Sequence, residues 1–228
     1  CERDELLRAF QLAASVAHEL NTPLNTILLQ SQLLEEDLVK QGIEDEDKLS
    51  ALRTLETEAQ RCKQIVRNLL DFSRQTSGEK TMADIHKLLD KTVHLMSNDF
   101  KLRKVTFSIT GGNNLPKIRV DENQIQQVFF NLINNALDAM PEGGAINVSA
   151  EILPTDNFMT VSVRDTGCGI SKDDLIRVFD PFYTTKPPGK GTGLGLPICK
   201  RIIRDHNGTI EVQSNTGKGT TFIIKLPV

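Results

Sequence analysis

Gly189-Lys190-Gly191-Thr192-Gly193-Leu194-Gly195-Leu196-Pro197 sets four glycines at alternating positions directly ahead of a stretch with helical spacing. Backbone amides without side chains in the way can wrap an anion, and the positive end of a helix dipole adds to the attraction, so the run suggests a phosphate cradle. Pro197 suits a first helical turn, where an N–H is not needed. The two commonest phosphate fingerprints are absent: no Lys follows a second Gly at the Walker spacing, and Leu194 or Leu196 stands where the dinucleotide form needs its third Gly. Read alone, the run suits a flexible loop as well as a nucleotide lid.

Outward from the glycines the periods mix. Residues 84–98 read as a helix and 105–109 alternate as a strand, with Gly111-Gly112-Asn113-Asn114 as a turn. Asp121 is a suitable N-cap for a helix running to about Met140, closed by Pro141-Glu142-Gly143-Gly144. Strands follow at 145–151 and 158–164, a helix at about 196–206, and strands near 209–214 and 220–225. Sequential strands interleaved with a few helices predict an α+β sandwich, with helices on one face of a mixed sheet.

The first third reads differently. From residue 3 to about 75 there is one Pro, Pro23, and one Gly, Gly42, and apolar positions step by three and four. Phe10, Ala13, Ala17, Leu20, Leu24, Ile27 and Leu28 form one stripe; Leu49, Leu52, Ala59, Cys62, Ile65, Val66, Leu69 and Phe72 form another. Two long helices are expected, folded back at residues 41–47, where Gly42 stops one and an acidic run starts the next. A hairpin of two amphipathic helices cannot bury both stripes by itself, so a dimer forming a four-helix bundle is the economical solution. Polar residues 75–80 mark the domain boundary, giving 1–78 and 79–228.

Composition narrows the partners. In 228 residues, 27 Lys and Arg against 30 Asp and Glu give a net charge of −3, without the basic surplus that nucleic acid requires. No apolar run approaches the ~20 residues that span a bilayer, and the charged opening Cys1-Glu2-Arg3-Asp4-Glu5 has no signal-peptide core. The expected setting is therefore cytoplasmic, with no membrane contact in this fragment, and the uncapped start of the first helix suggests that an upstream segment precedes it. The cysteines Cys1, Cys62, Cys168 and Cys199 lack any C-x-x-C spacing and read as free thiols; the alternative is a redox switch at Cys168 or Cys199.

Four further segments keep company with the glycines. Asn131-Leu132-Ile133-Asn134-Asn135-Ala136 falls in a helix, Asp165-Thr166-Gly167-Cys168-Gly169 follows a strand, and Phe179-Asp180-Pro181-Phe182-Tyr183 precedes the glycine run. In the first helix lies Val16-Ala17-His18-Glu19-Leu20-Asn21-Thr22-Pro23-Leu24. In this order the chain resembles, over essentially its whole length, the catalytic core of two-component sensor histidine kinases, whose ATP-binding domain is of the Bergerat type, and its lid resembles the nitrogen-regulator kind.

The resemblance implies roles. Asn135, with Asn131 beside it, would ligate Mg²⁺, and amide oxygens are hard ligands suited to that ion. Asp165 would accept from the adenine amino group, with Gly167 and Gly169 admitting the base. Phe179 and Phe182 match an aromatic box at the lid hinge, although core packing explains either ring equally well. Thr184, Thr185 and Lys186, the lid residues Gly191, Thr192, Gly193, Leu194, Gly195 and Leu196, and Thr220 complete the implied ATP contacts. Many family members carry a Lys or Arg where this chain has Asp138, so that cation must come from elsewhere, Lys186 or Lys190. His18 would be the phosphoacceptor and Glu19 its general base, while Thr22 would serve dephosphorylation of a response-regulator receiver domain. Pro23 should bend the helix beside His18.

Overall fold

The computed structural model describes residues 20, 23–36, 38, 40, 45–73, 78–111, 115–152, 157–187 and 191–228. It divides into two units, Cys1–Gln75 and Thr76–Val228. His18, Glu19, Thr22, Gly189 and Lys190 lie outside the described residues, as do the turn at 112–114 and the chain leading into Pro23 where a bend was expected.

In the first unit, helical residues 23–36 form α1 and Glu46–Ser73 form α2. The acidic run starts α2: the Asp45 carboxylate accepts from the Lys48 N–H at 3.2 Å, and Glu46 and Asp47 fill the first turn, where the helix dipole favours anions. The two helices face each other through Glu35, which accepts from Arg53 Nε at 3.1 Å, and across a groove lined by Ile27, Leu33 and Leu34 of α1 with Leu52 and Leu55 of α2. Leu52, Ala59 and Val66, seven residues apart, are buried, yet Leu33, Leu34 and Leu55 remain about half exposed. Among the described residues the two helices thus bury one seam and leave part of the apolar groove between them open.

The second unit is built on a five-stranded sheet. Its strands are β2 (Val105–Gly111), β4 (Gly144–Ile152), β5 (Phe158–Asp165), β6 (Thr209–Ser214) and β7 (Thr220–Pro227), in the order β2-β4-β5-β7-β6. β2 runs parallel to β4 and the other neighbours are antiparallel, so the sheet is mixed. The helices are α3 (Ile85–Leu95), α4 (Ser97–Leu102), α5 (Glu122–Asp138), the single turn α6 (Lys172–Leu175) and α7 (Gly195–Asp205). α5 lies between α3 and α7 and packs on β5, while α7 packs on β6. Alternation supplies the core: Ile146, Val148 and Ala150 of β4, Met159, Val161 and Val163 of β5, and Phe222, Ile224 and Leu226 of β7 are buried, against Ile125, Val128, Phe129, Leu132, Ile133, Ala136 and Leu137 of α5.

Asp121 caps α5 as expected, its Oδ1 accepting from the Asn123 and Gln124 N–H groups at 3.0 and 3.2 Å. Its own N–H donates to Nε2 of buried His206 at 3.0 Å, so the ring proton sits on Nδ1, 2.7 Å from the Ile202 carbonyl. This imidazole ties the end of α7 to the start of α5.

Three features depart from expectation. The helix expected over 84–98 is broken at Met96 into α3 and α4, which turns Phe100 inward to stack on Phe107 of β2 at 5.2 Å. β1 (Thr81–Ala83) and β3 (Ile118–Val120) pair antiparallel as a separate two-stranded sheet, too short to show alternation in sequence. The helix expected to reach Met140 ends at Asp138.

Leu137 is fully buried and Leu102 is 72% exposed. Leu137→Ala should cost about 2–5 kcal/mol in urea denaturation and Leu102→Ala about 0.5 kcal/mol or less.

Candidate functional site

Because α5 is buried along one face, its polar positions are confined to the other. Asn131, Asn135 and Asp138 follow at i, i+4 and i+7 and so share a face. Asn131 Nδ2 donates to the Gly195 carbonyl at the start of α7, at 3.5 Å. Asn135 Oδ1 accepts from Lys186 Nζ at 3.1 Å, and the same ammonium lies 2.7 Å from Asp138 Oδ2. Arg103, just beyond α4, donates to the other Asp138 oxygen at 2.8 Å. Of the two candidate cations, Lys186 therefore reaches the α5 face, while Lys190 is outside the described residues. Burial opposes ionisation of Asp138, but the hydrogen bonds from Lys186 and Arg103 outweigh it and hold its carboxyl below the ordinary value.

Asp165 stands at the end of β5 and is buried. Its Oδ1 accepts from the Gly167 N–H at 2.8 Å and from the Thr220 N–H at 3.1 Å, which ties the end of β5 to the start of β7. Burial pushes the Asp165 carboxyl up despite both backbone donors. The glycines beside it allow close approaches: a Cβ on Gly167 would lie 2.7 Å from the Cβ of Ala139, and Gly169, at φ +72°, has its Cα against the Asn215 carbonyl. Thr220 is itself buried, its Oγ1 2.9 Å from Ser214 Oγ, which accepts from the Ile170 N–H at 2.8 Å. Ser214 and Ala139 thus shape the surroundings of Asp165; their distance from it in sequence hid them.

Within the chain between α6 and α7, the Phe182 N–H donates to the Gly193 carbonyl at 3.0 Å and brings these two residues together. Both residues have positive φ, 65° each, and Gly193 is pressed against the Phe182 backbone with no room for a Cβ. Phe182 is 65% exposed, which removes core packing as its explanation; Phe179 is half-buried with Lys200 Nζ 5.2 Å above its ring. Thr184 and Thr185 are exposed, and Thr184 Oγ1 accepts from the Lys186 N–H at 3.2 Å. Gly191 faces Thr184 Oγ1 and the Lys186 stem, Thr192 Oγ1 accepts from the Leu194 N–H at 3.4 Å, and Leu194 is buried. Gly195 and Leu196 open α7.

Tyr183, whose ring takes the Arg177 guanidinium at 4.2 Å, donates to Asp174 and braces the approach to this segment. Cys199 is buried and its thiol is pushed up to about 12 by burial, so it is a packing residue and not a redox switch; Cys168 is exposed.

Residues 120–228 match the family model described as "Histidine kinase-, DNA gyrase B-, and HSP90-like ATPase", and residues 9–78 match "His Kinase A (phospho-acceptor) domain". The catalytic domain of histidine kinase ThkA superposes with a TM-score of 0.59 at 32% identity, covering 66% of this chain and 96% of that one. The chain belongs to the sensor histidine kinase family. Within that family, sensor histidine kinase ZraS of Escherichia coli K12 is 34% identical over 226 residues, covering 99% of this chain and 47% of ZraS. Sporulation kinase E of Bacillus subtilis 168 is 34% identical, covering 96% of this chain and 28% of that kinase. The chain thus spans about half the length, or less, of these curated relatives. Full-length ShkA in complex with AMPPNP matches with a TM-score of 0.77 at 27% identity, over 95% of this chain and 45% of ShkA. Among the described residues no helix is long and apolar enough to cross a membrane.

The two carboxylates carry opposite pH signatures. Asp165 holds its proton more tightly in the folded chain than its ordinary value of 3.8, so its contribution to stability is greatest below 3.8 and is lost as pH rises through the raised value. Asp138 is lowered, so its contribution is present above 3.8 and is lost as pH falls through the lowered value. Urea titrations from about pH 3 to 6 should show wild type losing stability relative to Asp165→Asn as pH rises, and relative to Asp138→Asn as pH falls.

Proposed function

We propose that the chain is a kinase core that transfers the γ-phosphoryl group of Mg-ATP to His18 and passes it to an aspartate of a response-regulator receiver domain. The observation that carries this reading is a buried carboxylate, Asp165, fixed by two backbone N–H groups beside close-packed glycines, in a chain whose phospho-acceptor segment contains His18. The division of labour follows residues 1–78 and 79–228. ShkA, in complex with AMPPNP, and ThkA, in complex with the response regulator TrrA (TM-score 0.70, 28% identity, 99% of this chain and 63% of that one), support the nucleotide and the partner.

Ionised Asp165 accepts from the adenine amino group, and Gly167 and Gly169 let the base reach the backbone. Phe179 and Phe182 frame the lid hinge; Thr184, Thr185, Lys186 and residues 191–196 face the phosphates, with Thr220 supporting Asp165. Magnesium takes one or two protein oxygens and completes its shell with phosphates and water, which fits the two amides that share one face of α5. Asn135 Oδ1, with Asn131 one turn away, would hold it, and it would neutralise charge on the transferring group.

His18 attacks the γ-phosphorus through Nε2, the bond from that phosphorus to the bridging oxygen breaks and ADP leaves, while Glu19 takes the Nδ1 proton. Thr22 orients water for dephosphorylation of the regulator. The half-exposed Leu33, Leu34 and Leu55 favour a homodimer, two hairpins completing a four-helix bundle.

Incubation with γ-labelled ATP should give acid-labile, base-stable label on the protein, absent in His18→Gln and in Asn135→Asp. Label persisting in His18→Gln would overturn the assignment, and free phosphate without labelled protein would point to an ATPase. Leu34→Glu should convert a dimer to a monomer in sedimentation; a wild-type monomer would end the bundle proposal.

A further inference from the structure

The α5 face assigned to the phosphates carries an anion, Asp138, one turn beyond Asn135. A carboxylate there repels a polyphosphate unless its charge is overcome. Each of its oxygens holds a different cation, Oδ1 with Arg103 at 2.8 Å and Oδ2 with Lys186 at 2.7 Å, so the three-residue cluster is net positive by one charge. Lys186 is not on the helix: it arrives from the segment between Phe182 and Gly193, and its ammonium is shared between Asp138 and Asn135 Oδ1 at 3.1 Å. Exposed ion pairs are often worth little, but this carboxylate is engaged at both oxygens and the Lys186 and Asp138 side chains are 31% and 35% exposed. The Lys186 stem is also hemmed in, since a Cβ on Gly191 would lie 3.1 Å from its Cδ.

We propose that Asp138, its carboxylate oriented by Arg103, is a positioning residue that clamps Lys186 onto α5 beside Asn135, so that the cation serving the phosphates is delivered by the lid segment and not by the helix. The clamp deepens the nucleotide reading above and rests on it. The two basic residues have unequal parts. Arg103 fixes the carboxylate, whereas Lys186 is the charge presented to the ligand: were a metal ion to take Asn135 Oδ1, the ammonium would leave that oxygen and Asp138 would keep it within reach of the phosphates.

Calorimetric titration of the whole chain with AMPPNP, ADP and AMP, each with magnesium, tests this. Asp138→Asn should weaken AMPPNP about tenfold, ADP less, and AMP by about twofold at most, because the cation that Asp138 positions acts on the phosphates beyond the first. Asp138→Glu should recover most of the affinity, and Asp138→Asn combined with Lys186→Gln should bind no worse than Lys186→Gln alone. Additive losses, tighter binding by Asp138→Asn, or equal loss for all three nucleotides would overturn the clamp, with thermal unfolding recorded for each variant. A wild-type chain that binds none of the nucleotides overturns the nucleotide reading and the clamp with it; a wild type that binds, with Asp138→Asn indistinguishable from it, overturns the clamp alone.

Discussion

Everything at the site depends on one division of labour within α5. A helix of 3.6 residues per turn that buries Ile125, Val128, Phe129, Leu132, Ile133, Ala136 and Leu137 has only a narrow strip left for polar side chains. Asn131, Asn135 and Asp138 occupy that strip, and the fully buried leucine and isoleucine neighbours fix their directions. The site is therefore as rigid as the core beneath it. Burying a single Leu or Phe contributes about 1.5–3 kcal/mol, so the seven inward residues together far exceed what any contact on the polar strip could disturb.

A second node works across strands. Asp165 Oδ1 joins the end of β5 to the start of β7 through two backbone donors. The cost is visible in its raised pKa: the carboxylate is less at ease ionised than in water, and two N–H groups do not fully make up for lost hydration. A ligand that donates a further hydrogen bond to the ionised carboxylate recovers part of that cost. Selection of a ligand and strain in the protein are here the same quantity.

Most of the fold was legible because long elements announce their period. α5, with its Asp121 cap and seven buried positions, and the alternating β4, β5 and β7 could be read from sequence. β1 and β3 could not, since three residues carry no period and their pairing joins Met82 to Arg119 across the chain. The break at Met96 was hidden because the apolar spacing continues through it, and only the stack of Phe100 on Phe107 decides it. At the site the motifs named Asn135, Asp165 and Lys186, and the anomaly at Asp138 was visible as a charge of the wrong sign. Its resolution was not, because Arg103 is 35 residues from Asp138 in the chain and carries no motif.

The bond from Phe182 to Gly193 has a consequence for how this family can vary. Phe182 and Gly193 are held next to each other by one hydrogen bond, so the ends of the chain between them are fixed at one place. The entropy of closing such a loop grows only logarithmically, about 0.6 kcal/mol for each doubling of length. The length of the segment can therefore change at small thermodynamic cost, while the two positive-φ residues at its neck stay adjacent.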